Sequence, residues 1–154
     1  MFELGKVLFL HGLSSNGGRK AAFIQMVGFD VLTPRLSDWS FRRAVQTAQD
    51  ALNVFRPDVI VGSSRGGAVA MSLQTETPMI LLAPAWSWYG VKPELRAEAT
   101  VIHSPFDKMV SISDSRELCR RNLGARLIEA GEGHRLNDLD ARRALKDALA
   151  MLVH

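Results

Sequence analysis

The sequence predicts an α/β fold, a three-layer sandwich in which a six-stranded, mostly parallel β-sheet carries helices on both faces. Two observations along the 154 residues predict it: short, nearly continuous apolar runs recur, and segments with helical periodicity lie between them. A strand buried on both faces must be apolar throughout instead of alternating. Strands that alternate with helices imply crossover connections, which produce a mostly parallel sheet covered on both sides.

The six apolar runs are the predicted strands. In chain order they are residues 6–10, 29–33, 57–61, 79–82, 99–103 and 126–129.

Four segments between or after these runs are predicted helices. Residues 40–55 carry apolar side chains at steps of three and four, which gives one apolar stripe. Residues 137–153 repeat this pattern and begin with two candidate N-caps, Asn137 and Asp138. Residues 66–74 and 111–121 are predicted as further helices. The chain length fits one domain over residues 1–154.

Composition excludes several classes of protein. The 19 Lys and Arg against 16 Asp and Glu give a formal charge of +3, but the basic pairs lie far apart, within predicted helices and without interleaved aromatic residues. Solvated helix faces explain such pairs better than a nucleic-acid partner does. No apolar run approaches the length of a membrane span, and Glu3 and His11 interrupt any signal peptide around the first strand. We expect a cytoplasmic protein, and its single Cys119 excludes an internal disulfide.

Three polar residues follow predicted strands, in the order Ser64, Asp107 and His134. Ligands of open α/β sheets bind outside the carboxyl ends of the strands. Parallel strands bring those ends to one edge, so we expect the hydroxyl, the carboxylate and the imidazole to meet there.

Ser64 is the central residue of a G-x-S-x-G pattern that follows a strand and opens a helix. A serine on such a tight turn has strained backbone angles, and Cβ atoms at Gly62 and Gly66 would clash. The N-terminus of the new helix would point its free N–H groups at anything bound beside Ser64. By itself, the short pattern is equally consistent with a flexible Gly/Ser loop.

Taken together, the motifs resemble the α/β-hydrolase superfamily, and they look most similar to its small lidless bacterial esterases (YqiA/YcfP-like). The resemblance spans nearly the whole chain, in order. It rests on His11-Gly12, Gly62-Ser63-Ser64-Arg65-Gly66, His103-x-x-x-Asp107-x-x-Val110 and Gly133-His134. It implies a hydrolase with Ser64 as nucleophile, Asp107 as acid and His134 as base. Two residues depart from the family pattern, Ser104 after the strand-end histidine and the charged Arg65 after the nucleophile.

The chemistry of the residues agrees with these roles. Serine is a weak nucleophile at neutral pH and needs a base within hydrogen-bond reach, for which His134 is the best placed histidine. Asp107 would orient the imidazole, with Glu132 as a less favoured substitute. His11 and His103 are expected to be structural.

The oxyanion hole is predicted to consist of the backbone N–H groups of Leu13 and Arg65. Trp86 is a candidate for the wall of an acyl pocket, although aromatic residues near a sheet edge are as often packing. The Arg65 side chain is a candidate for attracting a carboxylate on the substrate, with a solvent-facing position as the alternative.

These features predict a serine hydrolase that cleaves carboxylic ester bonds of small or short-chain acyl substrates through an acyl-enzyme, without a metal or organic cofactor. Thioesters and small peptides or amides are alternative substrates. A different class of function is a hydrolase-like domain that only binds a small molecule or a protein. The presence of all three reacting groups favours the enzyme, because a pure binder has no chemical need for them.

Overall fold

The computed structural model describes residues 3–13 and 17–153, and its core is one six-stranded sheet in the order β2-β1-β3-β4-β5-β6. Every neighbouring pair is parallel. The strands are β1 (Lys6–Leu10), β2 (Asp30–Leu32), β3 (Val59–Ser63), β4 (Met79–Leu82), β5 (Ala99–His103) and β6 (Ala125–Glu129).

Five α-helices and one short 3-10 helix connect or follow the strands. The α-helices are α1 (Gly18–Met26), α2 (Phe41–Phe55), α3 (Arg65–Met71), α4 (Ile112–Arg121) and α5 (Leu139–Leu152), and the 3-10 helix is Trp86–Tyr89. Among these described helices, none combines the length and the apolar composition that crossing a membrane requires.

Apolar side chains on the two faces of the sheet form two separate packed layers. On one face, Val7, Phe9 and Val61 pack with Ile24 of α1 and with the buried side of α5. On the other face, residues such as Leu8 pack with α2, α3 and α4. This arrangement confirms the predicted three-layer sandwich. It also explains the continuous apolar runs, because successive strand residues enter opposite layers and both layers exclude water.

Side chains at the N-termini of three helices accept hydrogen bonds from otherwise unpaired N–H groups. Ser40 Oγ accepts from the Arg43 N–H at 3.1 Å, and the Asp138 carboxylate accepts from the Ala141 N–H at 3.1 Å, as predicted for a cap. Ser111 caps α4 in the same way. These caps fix where the helices that follow β2, β5 and β6 begin.

The structure differs from the predicted elements mainly at α1, which the sequence pattern does not indicate. Only Ile24 of its nine residues is fully buried, so no apolar stripe marks it. Its start follows Gly17, whose φ of 72° lies in the left-handed region.

In addition, β3 ends at Ser63, and α3 begins at Arg65 and ends at Met71. Only one residue therefore separates this strand from this helix.

Candidate active site

Ser64 is that single residue between β3 and α3. Its backbone has φ 55° and ψ −115°, a conformation that costs energy for any residue with a Cβ. The surrounding chain holds it there: the Ser64 N–H donates to the Leu82 carbonyl at 2.8 Å. The Ser64 carbonyl accepts from the N–H groups of Gly67 and Ala85, both at 3.0 Å. The serine is therefore fixed at the carboxyl edge of the sheet by its own strand, the next strand's end and the helix that it opens.

The two glycines that flank Ser64 are required by close backbone contacts, as the sequence predicted. A Cβ at Gly66 would lie 2.0 Å from the Leu10 carbonyl oxygen, and a Cβ at Gly62 would lie 2.6 Å from the Gly66 carbonyl oxygen. Neither backbone atom can move without displacing a strand or a helix. The glycines thus allow α3 to pack directly against β1 and β3.

Ser64, His134 and Asp107 meet in one hydrogen-bonded series. The His134 Nε2 lies 3.0 Å from Ser64 Oγ, and its Nδ1 lies 2.7 Å from Asp107 Oδ2. The serine follows β3, the aspartate follows β5 and the histidine follows β6, so the parallel sheet brings together side chains up to 70 residues apart. This is the hydroxyl–imidazole–carboxylate order that nucleophilic catalysis by serine requires.

Asp107 is held in a fixed orientation and remains ionised. Its side chain is fully buried, and its Oδ1 accepts from the N–H groups of Met109 at 2.8 Å and Val110 at 2.9 Å. Burial alone would raise the pKa of Asp107, but hydrogen bonds from His134 and from these two N–H groups outweigh it, so the pKa lies below its usual value. The carboxylate can therefore orient the imidazole and favour its cationic form.

A second histidine contacts the same carboxylate oxygen. His103 Nε2 lies 3.1 Å from Asp107 Oδ2 and 2.9 Å from the Val110 carbonyl, while its Nδ1 lies 2.6 Å from Ser115 Oγ. Two acceptors at Nε2 assign the ring hydrogen to that nitrogen. Burial lowers the pKa of His103 despite these acceptors, so the ring is a neutral donor. The structural role predicted for His103 is thus specific: it donates to the same carboxylate oxygen of Asp107 that His134 contacts.

Ser104 connects the loop that carries Asp107 to the loop that carries His134. Its fully buried Oγ donates to the Gly131 carbonyl at 2.8 Å and accepts from the Phe106 N–H at 3.0 Å. In the sequence, Ser104 was notable only as a departure from the family pattern. A hydroxyl placed directly after a strand end was the available signal, and the structure shows that it joins the two loops.

The remaining polar candidates have structural contacts. His11 Nε2 accepts from the Leu36 N–H at 3.0 Å, and its Nδ1 lies 2.8 Å from the Gly12 carbonyl, as expected for a structural histidine. Glu132 is exposed, and the carboxylate that meets His134 is that of Asp107. Glu132 therefore does not substitute for the acid.

Leu13 and Arg65, the predicted oxyanion-hole residues, belong to the loop after β1 and to the start of α3. Leu13 lines the same cavity as Ser64, and a Cβ at the preceding Gly12 would lie 3.7 Å from the Ser64 Cβ. Arg65 is the first residue of α3, where a backbone N–H has no acceptor within the helix. The loop after β1 thus borders the cavity at Ser64, and the start of α3 directly follows the serine in the chain.

Ser64 and His134 open into a cavity of about 900 Å³. Its walls come from the loop after β1, the start of α1, the loop after β2, and residues that follow His134. Within residues 3–13 and 17–153, no three His, Cys, Asp or Glu side chains are grouped in a way that could hold a metal ion.

The structure corrects the predicted substrate-binding roles of Arg65 and Trp86, because neither residue lines this cavity. The Arg65 residue is 2% exposed, and its guanidinium carbon lies 5.7 Å from the Phe41 ring centre and 5.6 Å from the Tyr89 ring centre. The side chain therefore does not face solvent, which was the predicted alternative; it packs on aromatic rings, which attract a cation. Trp86 packs against the apolar layer that contains α2, α3 and α4.

Comparison with known proteins gives matches among solved structures. No protein-family model matches the chain, and no curated protein matches it. A protein from Xanthomonas campestris pv. campestris described as a hydrolase of the alpha/beta superfamily is 22% identical, with a TM-score of 0.75 over 96% of this chain and 98% of its own. Alpha/beta hydrolase domain-containing protein 10 from mouse is 14% identical, with a TM-score of 0.78 over 96% and 89%. The esterase EaEST from Exiguobacterium antarcticum is 12% identical, with a TM-score of 0.77 over 96% and 91%. The chain therefore has the α/β-hydrolase fold, as its motifs predicted.

Proposed function

We propose that this protein is a serine hydrolase that cleaves carboxylic ester bonds of small or short-chain acyl substrates. One observation carries the proposal: the continuous hydrogen-bonded series from Ser64 Oγ through the His134 ring to Asp107 Oδ2. The positive φ of Ser64 at a strand-to-helix turn supports it, because a nucleophilic serine in this fold is held on such a turn. The fold neighbour from Exiguobacterium antarcticum is itself an esterase by name.

In the first half of the reaction, Ser64 Oγ attacks the carbonyl carbon of the ester while His134 Nε2 removes the hydroxyl proton. The carbonyl π electrons move to oxygen and form a tetrahedral oxyanion. When that oxyanion collapses, the bond to the leaving alcohol oxygen breaks, and His134 returns the proton to it. The products are the free alcohol and an acyl group on Ser64.

In the second half, a water molecule attacks the acyl carbonyl and gives its proton to His134. Collapse of the second tetrahedral oxyanion breaks the bond to Ser64 Oγ, which takes the proton back from His134. A carboxylic acid leaves and the enzyme is restored. Asp107 stays ionised throughout and stabilises the imidazolium that forms twice in each cycle.

Backbone N–H groups of Leu13 and Arg65 are the proposed donors to the oxyanion. A donor of this kind acts mainly on the transition state, and losing one lowers turnover by about 10² to 10³. The buried Arg65 side chain supports this assignment indirectly. Its contacts with Phe41 and Tyr89 fix the residue whose N–H would face the oxyanion.

The connection between β4 and β5 supports small substrates. It spans residues 83–98 and contains only the 3-10 helix Trp86–Tyr89, which packs against α3 instead of covering Ser64. The cavity is therefore bordered by short loops and by the start of α1. Such a site suits a short acyl group better than a long chain that needs an enclosed tunnel.

A fluorophosphonate probe and two chromogenic esters test the proposal. The probe should form one adduct, which mass spectrometry places on Ser64, and 4-nitrophenyl acetate or butyrate should be hydrolysed. Ser64→Ala should abolish both signals, whereas Ser63→Ala, which removes the neighbouring hydroxyl, should retain the adduct. No adduct and no turnover would instead favour a domain that only binds its ligand. Matched thioester and anilide substrates would then rank the ester against its alternatives.

A further inference from the structure

The cavity beside Ser64 is strongly basic. Arg19, Lys20, Arg35 and Arg135 line it, whereas Asp38 is the only carboxylate among its described lining residues. Within the described part of the chain, none of these four cationic side chains forms an ion pair with a carboxylate. The positive charge around Ser64 is therefore in excess.

Three arginines on the surface of α4 are arranged differently. Arg116 on α4 lies 2.9 Å from Glu129, and Arg121 lies 2.6 Å from Glu117. Arg120 also pairs with Glu117. The three arginines of α4 thus lie beside acids, while the cations of the cavity do not. Four cations without a carboxylate partner among the described residues therefore line the space where a substrate would bind.

Stability of the free protein does not explain this arrangement. Arg19 and Lys20 occupy the first turn of α1, which is the positive end of the helix dipole and disfavours cations. The Lys20 ammonium is partly buried, with Nζ 2.5 Å from the Arg135 carbonyl and 3.2 Å from Asn137 Oδ1. Burial, together with Arg142 and Arg135, lowers the pKa of Lys20 to about 8. Each of these positions becomes favourable when an anion is present.

Three separate segments contribute the charges. Arg19 and Lys20 begin α1, Arg35 lies in the loop that follows β2, and Arg135 directly follows His134. An anionic group among them would sit in the same cavity as the reacting hydroxyl. Guanidinium groups bind carboxylates and phosphates through paired, charge-assisted hydrogen bonds, which makes them suited to this task.

We infer that the substrate of this site carries a second, anionic group, a carboxylate or a phosphate, which Arg19, Lys20, Arg35 and Arg135 bind while the ester carbonyl lies at Ser64. This inference rests on the proposed function and narrows it from esters in general to esters with an anion. The anion belongs either to the acyl part or to the leaving alcohol, and the two sources can be distinguished by experiment.

Two sets of matched esters test the inference. In the acyl set, mono-4-nitrophenyl succinate is compared with 4-nitrophenyl butyrate. In the alcohol set, 4-acetoxybenzoate and 4-acetoxyphenyl phosphate are compared with phenyl acetate. The measured quantity is the ratio of kcat/KM for the anionic ester to that for the neutral one. We expect a ratio of about ten or more in one set, and the set that shows it identifies the source of the anion.

Variants locate the preference on the molecule. Arg35→Gln and Arg135→Gln should each lower the ratio by about tenfold, which corresponds to about 1.4 kcal/mol. The ratio cancels any loss that both esters share, such as a disturbance of His134 by its neighbour. Arg43→Gln is the matched control, because it removes the same charge from an exposed position on α2 outside the cavity. It should leave the ratio unchanged.

The outcomes separate this inference from the proposed function. Hydrolysis of the neutral esters with no anionic preference in either set overturns the inference and leaves the proposed function standing. A preference that survives when Arg19, Lys20, Arg35 and Arg135 are all replaced by neutral residues also overturns it, since other groups would then bind the anion. If none of the esters is hydrolysed and Ser64 takes up no fluorophosphonate, the proposed function is wrong and the inference falls with it.

Discussion

Replacing Lys20 by methionine should have two opposing effects on the free energy of unfolding at neutral pH. Loss of the lysine's hydrogen bonds lowers it, and removal of the lysine's partly buried charge raises it. The folded chain holds this ammonium partly out of water and close to Arg135 and Arg142, which lowers its pKa from 10.5 to about 8. A pKa unit corresponds to about 1.36 kcal/mol, so the charged Lys20 costs about 3 kcal/mol of folding free energy at pH 7.

The pH dependence of this cost has a definite sign. The pKa of Lys20 is lower in the folded state than in the unfolded state, so between pH 8 and pH 10.5 the unfolded chain binds more protons. Stability of the wild type therefore rises with pH across that window, relative to a variant without the lysine. Below pH 8 both states are protonated and the full cost is present.

Urea unfolding of the wild type and of Lys20→Met at pH 7 and at about pH 9.5 measures the effect. Raising the pH should change the difference in unfolding free energy between the two proteins by about 2 kcal/mol in favour of the wild type. Loss of the hydrogen bonds to Arg135 and Asn137 alters both measurements equally and cancels in that shift. Lys146→Met, at an exposed lysine of α5, is the control and should change stability little at either pH. A Lys20→Met difference that is independent of pH would refute the reasoning.

Three further substitutions test the site and the turn that builds it. Asp107→Asn should lower kcat by about 10⁴ while the circular dichroism spectrum stays native, whereas Asp114→Asn should be nearly neutral; the reverse result would show that the acid is misassigned. Gly66→Ala should destabilise the protein by more than about 4 kcal/mol or prevent folding, because its Cβ would meet a strand carbonyl at 2.0 Å. Gly124→Ala, whose Cβ would have no neighbour closer than 3.9 Å, should fold normally. Equal urea midpoints for Gly66→Ala and Gly124→Ala would contradict the steric requirement for glycine at position 66. Ser104→Gly should lower the unfolding free energy by about 1 to 3 kcal/mol, because it leaves a buried carbonyl without its donor, and an unchanged urea midpoint would speak against that role.

The sheet and most of its helices could be predicted because burial determines their sequence pattern. The strand residues Val7 to Leu10 are all at most 1% exposed, so each position had to be apolar. Helix α2 buries one stripe, which includes Ala44, Ala48 and Leu52. Helix α1 escaped prediction for the opposite reason: it lies mostly exposed and carries cations, so its pattern reflects the cavity more than the core.

The positions of Ser64, Asp107 and His134 could be predicted because each follows a strand, and parallel strands end at one edge. The direction of the Arg65 side chain could not be predicted in this way. It depends on Phe41 and Tyr89, whose rings stack at 5.0 Å and come from two other elements. A basic residue after Ser64 suggested substrate binding, but tertiary packing directs the Arg65 side chain onto the aromatic rings.

The basic lining of the cavity has no local motif at all. Arg35 follows β2 at one edge of the sheet, whereas Arg135 follows β6 at the other, so only the completed strand order brings them to one cavity. In the composition, these residues count only toward the net charge of +3, which does not indicate where they lie. The position of each charge matters more than the total here, because four cations line one cavity, whereas Glu117 and Glu129 pair only with arginines of α4.

Anion binding and protonation of Lys20 must strengthen each other by the same free energy. An anion that favours the charged ammonium raises the Lys20 pKa above about 8, and by the same free energy a charged Lys20 tightens the anion. Succinate binding to Ser64→Ala protein near pH 8 should therefore take up a fraction of a proton, while binding at pH 6, where Lys20 is already charged, should take up almost none from this group. Calorimetry in two buffers of different ionisation enthalpy measures that uptake, with Lys20→Met as the control. Equal proton uptake by Ser64→Ala and by the double variant would show that Lys20 does not contact the anion. Proton uptake seen only when Lys20 is present would show that the charge on Lys20, which destabilises the free protein, contributes to binding the anion.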